Sequence, residues 1–313
     1  MGASAMTILV RRSNLVVRIV DTDKFEGAWR HNADAITLDP GDGVDAAGGW
    51  LNDAIASAGQ GAAEVFVRMK CGSTAAEFAA VVSPGLRGIM LARVESAAAV
   101  AQAAEIVTAL ERERGIVTGS LQFIVMLESA RAVWDIRSII TASPRISQVG
   151  IDERALAVDL GIADKLIYEA EYDPFVYARG RLAFEATAAK VNPVGMAYPL
   201  SVRLSAAPPP EIHTLATRAR NLGMKGVICP HPDWVAPVNI AFTPTAELVA
   251  YNKRVREAFA AGVAAGTAAV PLDGRMIDVP VDEWAIVVLA TAEACAVRDA
   301  EKQAAFSARQ ACE

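Results

Sequence analysis

Residues 121–140, with the sequence LQFIVMLESARAVWDIRSII, decide the fold. Residues 121–127 form a largely apolar run that predicts a buried strand, and Ala132, Val133 and Ile136 then recur at helical spacing. Glu128 stands between the two patterns. Parallel α/β enzymes place site residues at such strand-to-helix turns, because the strand interiors are too apolar to hold a charge. Glu128 is therefore a candidate site residue, although a solvated glutamate in the first turn of a helix would also fit the pattern.

The same alternation of strand and helix continues along the chain. Apolar runs that predict strands cover residues 14–20, 34–39, 64–70, 88–94, 121–128, 146–152, 193–200 and 225–230. Alanine-rich amphipathic patterns that predict helices cover residues 52–57, 74–82, 96–114, 129–142, 175–190 and 210–222. About eight strands with helices between them close a TIM (β/α)₈ barrel, so we expect that fold.

The pattern changes after residue 240. A proline-punctuated loop is expected over 231–245, a helix over 246–261, a glycine-containing excursion over 262–280 and a long helix over 281–310. We therefore expect residues 1–240 to form the barrel catalytic domain. Residues 241–313 are expected to form a C-terminal helical lid and oligomerisation arm, since the apolar face of residues 284–297 has to be buried.

Composition limits the possible functions. The net charge of −6 argues against a nucleic-acid partner, which would need a basic face. The longest apolar stretch, 284–297, contains Glu293 and is too short to span a bilayer, so no membrane partner is expected. The first residues lack the apolar core of a signal peptide, which indicates a cytoplasmic protein. The four cysteines are far apart without a CxxC pair, which predicts free thiols.

Charged side chains end several of the predicted strands. They are Asp39, Arg68 and Lys70, Arg93, Glu128 and Asp152, on the second to sixth strands. In a barrel these ends open on one face, where the active site lies. Carboxylates beside cations can bind a divalent metal together with an anionic oxygen ligand such as a keto acid. Arg68, Arg93 and Lys70 are the candidate substrate-binding cations, although each residue taken alone could belong to a structural ion pair.

The chain also resembles a known family through a series of segments in a fixed order. They read DAITLDPGDGV, VFVRMK, GIMLARVESAAAV, IVMLESARAV, DLGI, GMKGVICPHPDWVAPVN, AFTPTAE and LDGRMIDVPVDEWA. Together they resemble the HpcH/HpaI aldolase and citrate lyase β-subunit family over nearly the whole chain. The GRMIDVP, HP and FTP segments are similar to those of its CoA-ester lyase branch, which includes malyl-CoA and citramalyl-CoA lyases. The resemblance implies a TIM barrel, Mg²⁺, and a homotrimer or hexamer.

The resemblance also implies roles for single residues. Arg68 matches the family arginine that holds a substrate carboxylate or enolate oxygen, and Glu128 matches the first metal carboxylate. Asp39 and Asp42 match the two aspartates of the family's D-L-E-D segment, and are candidate catalytic residues. Asp278, in the M-I-D motif, matches an acid/base residue that the family contributes from an adjacent subunit, although a turn aspartate bonded to its own backbone would also fit.

The second metal ligand is ambiguous. Aligning the family motif G-x-x-D-L-x-x-D-L-G on residues 159–161 places Ala155 at the metal aspartate, whereas a shift of two residues places Glu153 there, with Asp152 beside it. We take Asp152, which ends the strand, with Glu153 as the alternative. Other positions also depart from the family pattern, namely Pro40-Gly41, Ala92-Arg93, Lys70, Val227 and Trp234.

The expected function is a Mg²⁺-dependent carbon–carbon lyase with a divergent active site. Its substrate would be a β-hydroxy acyl thioester, bound to CoA or to a carrier, or a related oxo or hydroxy acid. The reaction would pass through an enolate that the metal stabilises. Two alternatives remain open: a thioesterase on the same scaffold, and a catalytically silent partner subunit that binds an acyl thioester.

Overall fold

Eight parallel strands form one sheet in the residues that the computed structural model describes, which are 8–19, 27–41, 51–163, 173–195 and 209–311. The strands are β1 Ser13–Arg18, β2 Ala35–Asp39, β3 Glu64–Lys70, β4 Gly88–Ala92, β5 Gln122–Leu127, β6 Ile146–Ile151, β7 Asn192–Val194 and β8 Val227–Cys229. Their spatial order follows the chain from β1 to β7, and β8 pairs with β1.

Two backbone hydrogen bonds join the two edges of this sheet. The Gly195 N–H donates to the Gly226 carbonyl over 3.0 Å, and the Lys225 N–H donates to the Pro193 carbonyl over 2.7 Å. These bonds bring the β7 segment beside the β8 segment, so the sheet curls into a barrel. The predicted TIM (β/α)₈ barrel is confirmed.

Helices follow the strands. They are α1 Leu51–Ala58, α2 Ala75–Val81, α3 Ala97–Glu113, α4 Ala130–Trp134, α5 Ile136–Ile140, α6 Glu153–Asp159, α7 Val176–Ala188, α8 Pro209–Asn221 and α9 Val235–Phe242. Short 3₁₀ helices cover Ala28–His31, Gly59–Gly61 and Pro232–Trp234. The main hydrophobic core contains alternate residues of the strands, such as Val67 on β3 and Val125 on β5, with apolar residues of these helices.

The predicted helix boundaries need three corrections. The helix expected over 129–142 is interrupted at Asp135, whose ψ of 13° departs from the helical value, and aspartate is a poor helix former. The loop expected over 231–245 instead contains α9. Pro237 lies in the first turn of α9, where its missing N–H costs nothing, and Val238 is buried. Helix α6 was not predicted.

The C-terminal region forms a second compact unit. It comprises residues 8–10 with Thr243–Ala304, whereas the barrel unit comprises the described parts of Arg11–Phe242 and residues 305–311. The second unit contains helix α10 Ala246–Ala264, strands β9 Val270–Leu272 and β10 Arg275–Ile277, and most of helix α11 Val279–Gln310. Its own small core is formed by Val255, Ile277 and Ala285.

The excursion expected over 262–280 therefore contains a β-hairpin, which the sequence reading missed. Strands β9 and β10 pair antiparallel across Asp273 and Gly274. Both turn residues have positive φ, 50° and 75°, as a two-residue type I′ turn requires.

In the described residues, no helix is both long enough and apolar enough to cross a bilayer.

Charged residues fill the end of the barrel where the strands begin. The Arg11 side chain is fully buried and lies 4.8 Å from the centre of the Phe66 ring. It pairs with Glu64, donates to Ser147 Oγ over 2.9 Å and donates to Gln122 Oε1 over 2.6 Å. Arg11 thus links β3, β5 and β6 and closes the barrel at the end opposite to the predicted site.

A second buried arginine joins the starts of β1 and β2. Arg12 Nε donates to Asp34 Oδ2 over 2.8 Å and Arg12 Nη2 donates to Asp34 Oδ1 over 2.9 Å. The Asp34 side chain is completely buried. The Arg12 guanidinium thus compensates the charge of a buried carboxylate.

We expect Arg12→Met to lower the free energy of unfolding by about 3–5 kcal/mol, since it leaves Asp34 buried without its cation. Arg137→Met is the matched control, because Arg137 forms a similar two-bond pair with Glu185 but is largely exposed. It should cost much less, because a solvent-exposed ion pair contributes little to stability. Urea unfolding followed by circular dichroism measures both changes, and equal losses in the two variants would contradict the assignment.

Candidate active site

Arg68 lies at the centre of the predicted site. Phe66, two residues earlier on β3, faces the barrel interior, so Arg68 faces the same way. Arg68 Nη1 donates to Asp39 Oδ2 over 3.1 Å, and Arg68 Nη2 donates to Glu128 Oε1 over 3.4 Å. Asp39 is the last residue of β2 and Glu128 follows β5. The structure therefore brings three of the predicted residues together at the strand ends where barrel enzymes hold their sites.

The surroundings favour the charged form of Arg68. Burial acts to lower the pKa of Arg68, but the nearby charges of Asp39, Glu128 and Asp152 outweigh burial and raise that pKa above its usual value. About a third of the Arg68 side chain is exposed, compared with 13% for Asp39 and 11% for Glu128. A permanent cation is thus surrounded by carboxylates in a partly shielded place, where charge interactions are stronger than in water.

Both neighbouring carboxylates are also held by backbone groups. Asp39 Oδ1 accepts from the Gly41 N–H over 2.9 Å, and Glu128 Oε1 accepts from the Arg93 N–H over 3.1 Å. Gly41 and Arg93 both have positive φ, 62° and 55°. The departure at Gly41 therefore has a structural reason, since glycine adopts without strain the left-handed conformation that directs its N–H at Asp39. The Arg93 side chain is largely exposed, with Nε 3.9 Å from Glu128 Oε2.

Asp152 lies next to Glu128 across the sheet. The Asp152 N–H donates to the Leu127 carbonyl over 2.9 Å, so Asp152 lies beside the residue that precedes Glu128. Its Oδ1 accepts from the Arg154 and Ala155 N–H groups and thereby caps α6. The negative charge of Asp152 also contributes to the raised pKa of Arg68.

The alternative ligand, Glu153, is engaged elsewhere. Arg179 Nε donates to Glu153 Oε1 over 2.5 Å and Arg179 Nη2 donates to Glu153 Oε2 over 3.3 Å. Burial raises the pKa of Glu153 to about 7, against the opposing effect of Arg179. The sequence reading missed Arg179. Its position in a predicted helix gave no signal, because the partner lies 26 residues away in the chain.

The remaining candidates are Lys70, Asp42 and Asp278. Lys70 is exposed at the end of β3, where its charge helps to lower the pKa of Glu77 after the larger effect of hydrogen bonds from Thr74. Asp42 lies outside the described residues. Asp278 belongs to the C-terminal unit, where its Oδ1 accepts from the Val281 N–H over 3.3 Å in the first turn of α11.

The donor set fits a hard divalent cation that retains water or substrate ligands. Glu128 and Asp152 provide carboxylate oxygens from adjacent strand ends, and Mg²⁺ in proteins is commonly held by one or two carboxylates. Within the described ranges, no group of three histidine, cysteine or acidic side chains is placed to hold a metal by itself. A cation here would therefore complete its shell with water and with oxygen atoms of the substrate.

The chain is similar to known proteins. The model of the HpcH/HpaI aldolase/citrate lyase family matches residues 13–232. An L-malyl-CoA/β-methylmalyl-CoA lyase of Cereibacter sphaeroides is 27% identical over 218 residues, covering 66% of this chain and 67% of that protein. A citrate lyase subunit beta of Leuconostoc mesenteroides subsp. cremoris is 25% identical over 300 residues, covering 93% and 96% respectively.

Solved structures share the fold. A Mycobacterium tuberculosis CitE protein in complex with magnesium, acetoacetate and coenzyme A aligns with a TM-score of 0.64 and 22% identity, covering 91% of this chain and 98% of that one. A citrate lyase of Burkholderia xenovorans aligns with a TM-score of 0.75 and 16% identity, covering 95% and 97%. At these identities the likeness shows the architecture alone.

The turn at Arg93 yields a prediction. Arg93→Gly should be neutral or should stabilise the fold by up to about 1 kcal/mol, because glycine adopts the left-handed conformation without strain and keeps the N–H that Glu128 accepts. Arg93→Ala removes the same guanidinium but keeps the strain, so it should be less stable than Arg93→Gly. Thermal unfolding of the two variants tests this, and a glycine variant less stable than the alanine variant would contradict it.

Proposed function

Because this chain belongs to the HpcH/HpaI aldolase/citrate lyase family, we propose that it is a Mg²⁺-dependent carbon–carbon lyase acting on a β-hydroxy acyl thioester or a related oxo or hydroxy acid. The observation that carries the proposal is the Arg68 guanidinium held between Asp39 and Glu128 at the strand ends, with Asp152 beside Glu128. Aldol or Claisen-type cleavage leaves an enolate, and this arrangement suits a reaction in which negative charge develops on an oxygen atom.

Each residue has a proposed part in that reaction. Bound Mg²⁺ would supply positive charge beside the developing oxyanion. Glu128 and Asp152 hold the metal. Arg68 leaves its carboxylate partners to bind a substrate carboxylate or enolate oxygen, for which its planar fork is well shaped. Asp39, with Asp42 as a second candidate, accepts or returns a proton near Arg68. Arg93 and Lys70 attract the anionic substrate from exposed positions.

The relatives support a proposal for the substrate class. The Cereibacter protein is named for malyl-CoA and β-methylmalyl-CoA, and the Mycobacterium structure contains coenzyme A and acetoacetate. We therefore favour a CoA thioester over a carrier-bound acyl group or a free acid. Mass spectrometry of the products from candidate thioesters distinguishes carbon–carbon cleavage from thioester hydrolysis.

A catalytically silent partner subunit is the second candidate. The departures from the family pattern at Gly41 and Val227 favour it, because each places an uncharged residue where the family has a charged one. Mg²⁺ distinguishes the two candidates. A magnesium enzyme should gain about 2.7 kcal/mol of stability at a Mg²⁺ concentration 100 times the Kd, whereas a silent subunit without a metal site should gain nothing.

Glu128 is the first of the two proposed metal ligands. Glu128→Gln should abolish the calorimetric signal of Mg²⁺ binding, because the amide carries no charge. The fold should stay intact, because the amide oxygen still accepts a hydrogen bond from the Arg93 N–H. Glu185→Gln is the control, since it removes a carboxylate of α7 that is paired with Arg137. It should bind Mg²⁺ like the wild type. Equal heats from wild type and Glu128→Gln would reject the ligand role.

We propose Asp278 as an acid/base residue that acts on a neighbouring subunit of a homotrimer or hexamer. Asparagine caps a helix as well as aspartate but cannot transfer the proton. Asp278→Asn should therefore lower kcat by about 10²–10⁴ with an unchanged melting temperature. Full activity in Asp278→Asn would contradict the acid/base role, and the function of Asp278 would then be to cap helix α11.

Subunit mixing tests the proposed action across subunits. Glu128→Ala and Asp278→Ala chains, each inactive alone, should regain activity when they assemble together, because some mixed oligomers contain an intact composite site. If the mixtures stay inactive although mass spectrometry shows mixed oligomers, Asp278 does not act on its neighbour.

A further inference from the structure

Arg179 forms a buried ion cluster beside the candidate site. Only 4% of its side chain is exposed. Besides its two bonds to Glu153, Arg179 Nη1 donates to Asp173 Oδ2 over 2.7 Å and Arg179 Nη2 donates to Asp173 Oδ1 over 3.0 Å. The guanidinium thus joins two carboxylates in a fork geometry that lysine cannot reproduce.

This cluster fixes both described ends of the connection between β6 and α7. Glu153 is the first residue of α6, which begins immediately after the end of β6, and Asp173 lies just before α7. Helix α6 has seven residues and is too short to be stable by itself. Leu156 packs with Phe175 in a small cluster, and the Arg179 bonds add a second anchor at the start of the helix.

The anchor bears directly on the neighbouring Asp152. The Asp152 backbone is held on one side by its bond to Leu127, and its Oδ1 is held by the first N–H groups of α6. The direction of those N–H groups depends on how α6 leaves the strand. Glu153 is the first residue of α6, and Arg179 holds it through both carboxylate oxygens.

Stability alone does not explain this arrangement. Apolar residues of similar volume often replace buried ion pairs without loss of stability. An ion cluster adds direction, because the fork holds its carboxylates only in one geometry.

We infer that Arg179 is a positioning residue: by fixing Glu153, it directs the Asp152 carboxylate toward Glu128 for a divalent cation. The inference rests on the proposed magnesium site and adds a residue to it. Residues that orient metal ligands without touching the metal change metal affinity by about 10- to 100-fold when they are mutated.

The competing assignment, in which Glu153 itself binds the metal, predicts the opposite result. Loss of the Arg179 fork would release the Glu153 carboxylate, and Mg²⁺ would then bind as tightly as before or more tightly. One substitution therefore separates the two assignments.

The experiment is calorimetric titration of Mg²⁺ into wild type, Arg179→Lys and Arg179→Gln. The matched control is Arg145→Lys. Arg145 forms an equally buried fork with Glu111, but just before the start of β6, at the opposite end of the strand from Asp152. Arg145→Lys should lose stability without a change in Mg²⁺ affinity. The Arg179 variants should bind Mg²⁺ about 10- to 100-fold more weakly at temperatures where circular dichroism shows them folded.

Two variants keep the test decisive, since either one that folds gives the answer. Mg²⁺ affinity in the Arg179 variants equal to or above that of the wild type overturns the inference while leaving the magnesium site in place. A similar loss of affinity in Arg145→Lys also overturns it, because the effect would then follow stability. Absence of Mg²⁺ binding by the wild type overturns both the inference and the proposed metal-dependent function.

Discussion

The guanidinium of Arg68, held between the carboxylates of Asp39 and Glu128, is the interaction on which the site depends. The interior below it contains an apolar layer with Phe66, Met90 and Ile124, which could not accept a charge. The cation is therefore stable only at the strand ends, where part of its side chain reaches water and acidic neighbours balance it. The same requirement holds the carboxylates of β2 and β5 in one place before any ligand binds.

The architecture was predictable because parallel strands buried on both faces read as continuous apolar runs. The charges at the strand ends were predictable for the same reason, since Asp39, Arg68 and Glu128 interrupt or end those runs. Sequence could not separate Asp152 from Glu153. The two residues are adjacent, and only the position of Arg179 shows that one carboxylate is enclosed while the other caps a helix at the strand end.

Other misses have equally local causes. The prolines of residues 231–245 predict a loop, but helix α9 forms there, because proline is tolerated in the first turn of a helix, where Pro237 lies. The hairpin of β9 and β10 was missed although Asp273-Gly274 is a strong turn signal, because the flanking strands have only three residues each. Departures from the family pattern at Val227 and Trp234 are explained by packing, since both side chains are buried in the barrel unit's core.

The proposed site depends on Glu128 and Asp152 holding a divalent cation, next to a substrate oxygen that Arg68 binds. A crystal structure of the protein grown with Mg²⁺ and a short 2-oxo acid measures this most directly. Mg²⁺ should contact one oxygen of each carboxylate at about 2.1 Å, and Arg68 should bind an oxygen of the acid. A cation bound without either carboxylate, or an acid bound away from Arg68, would contradict the claim.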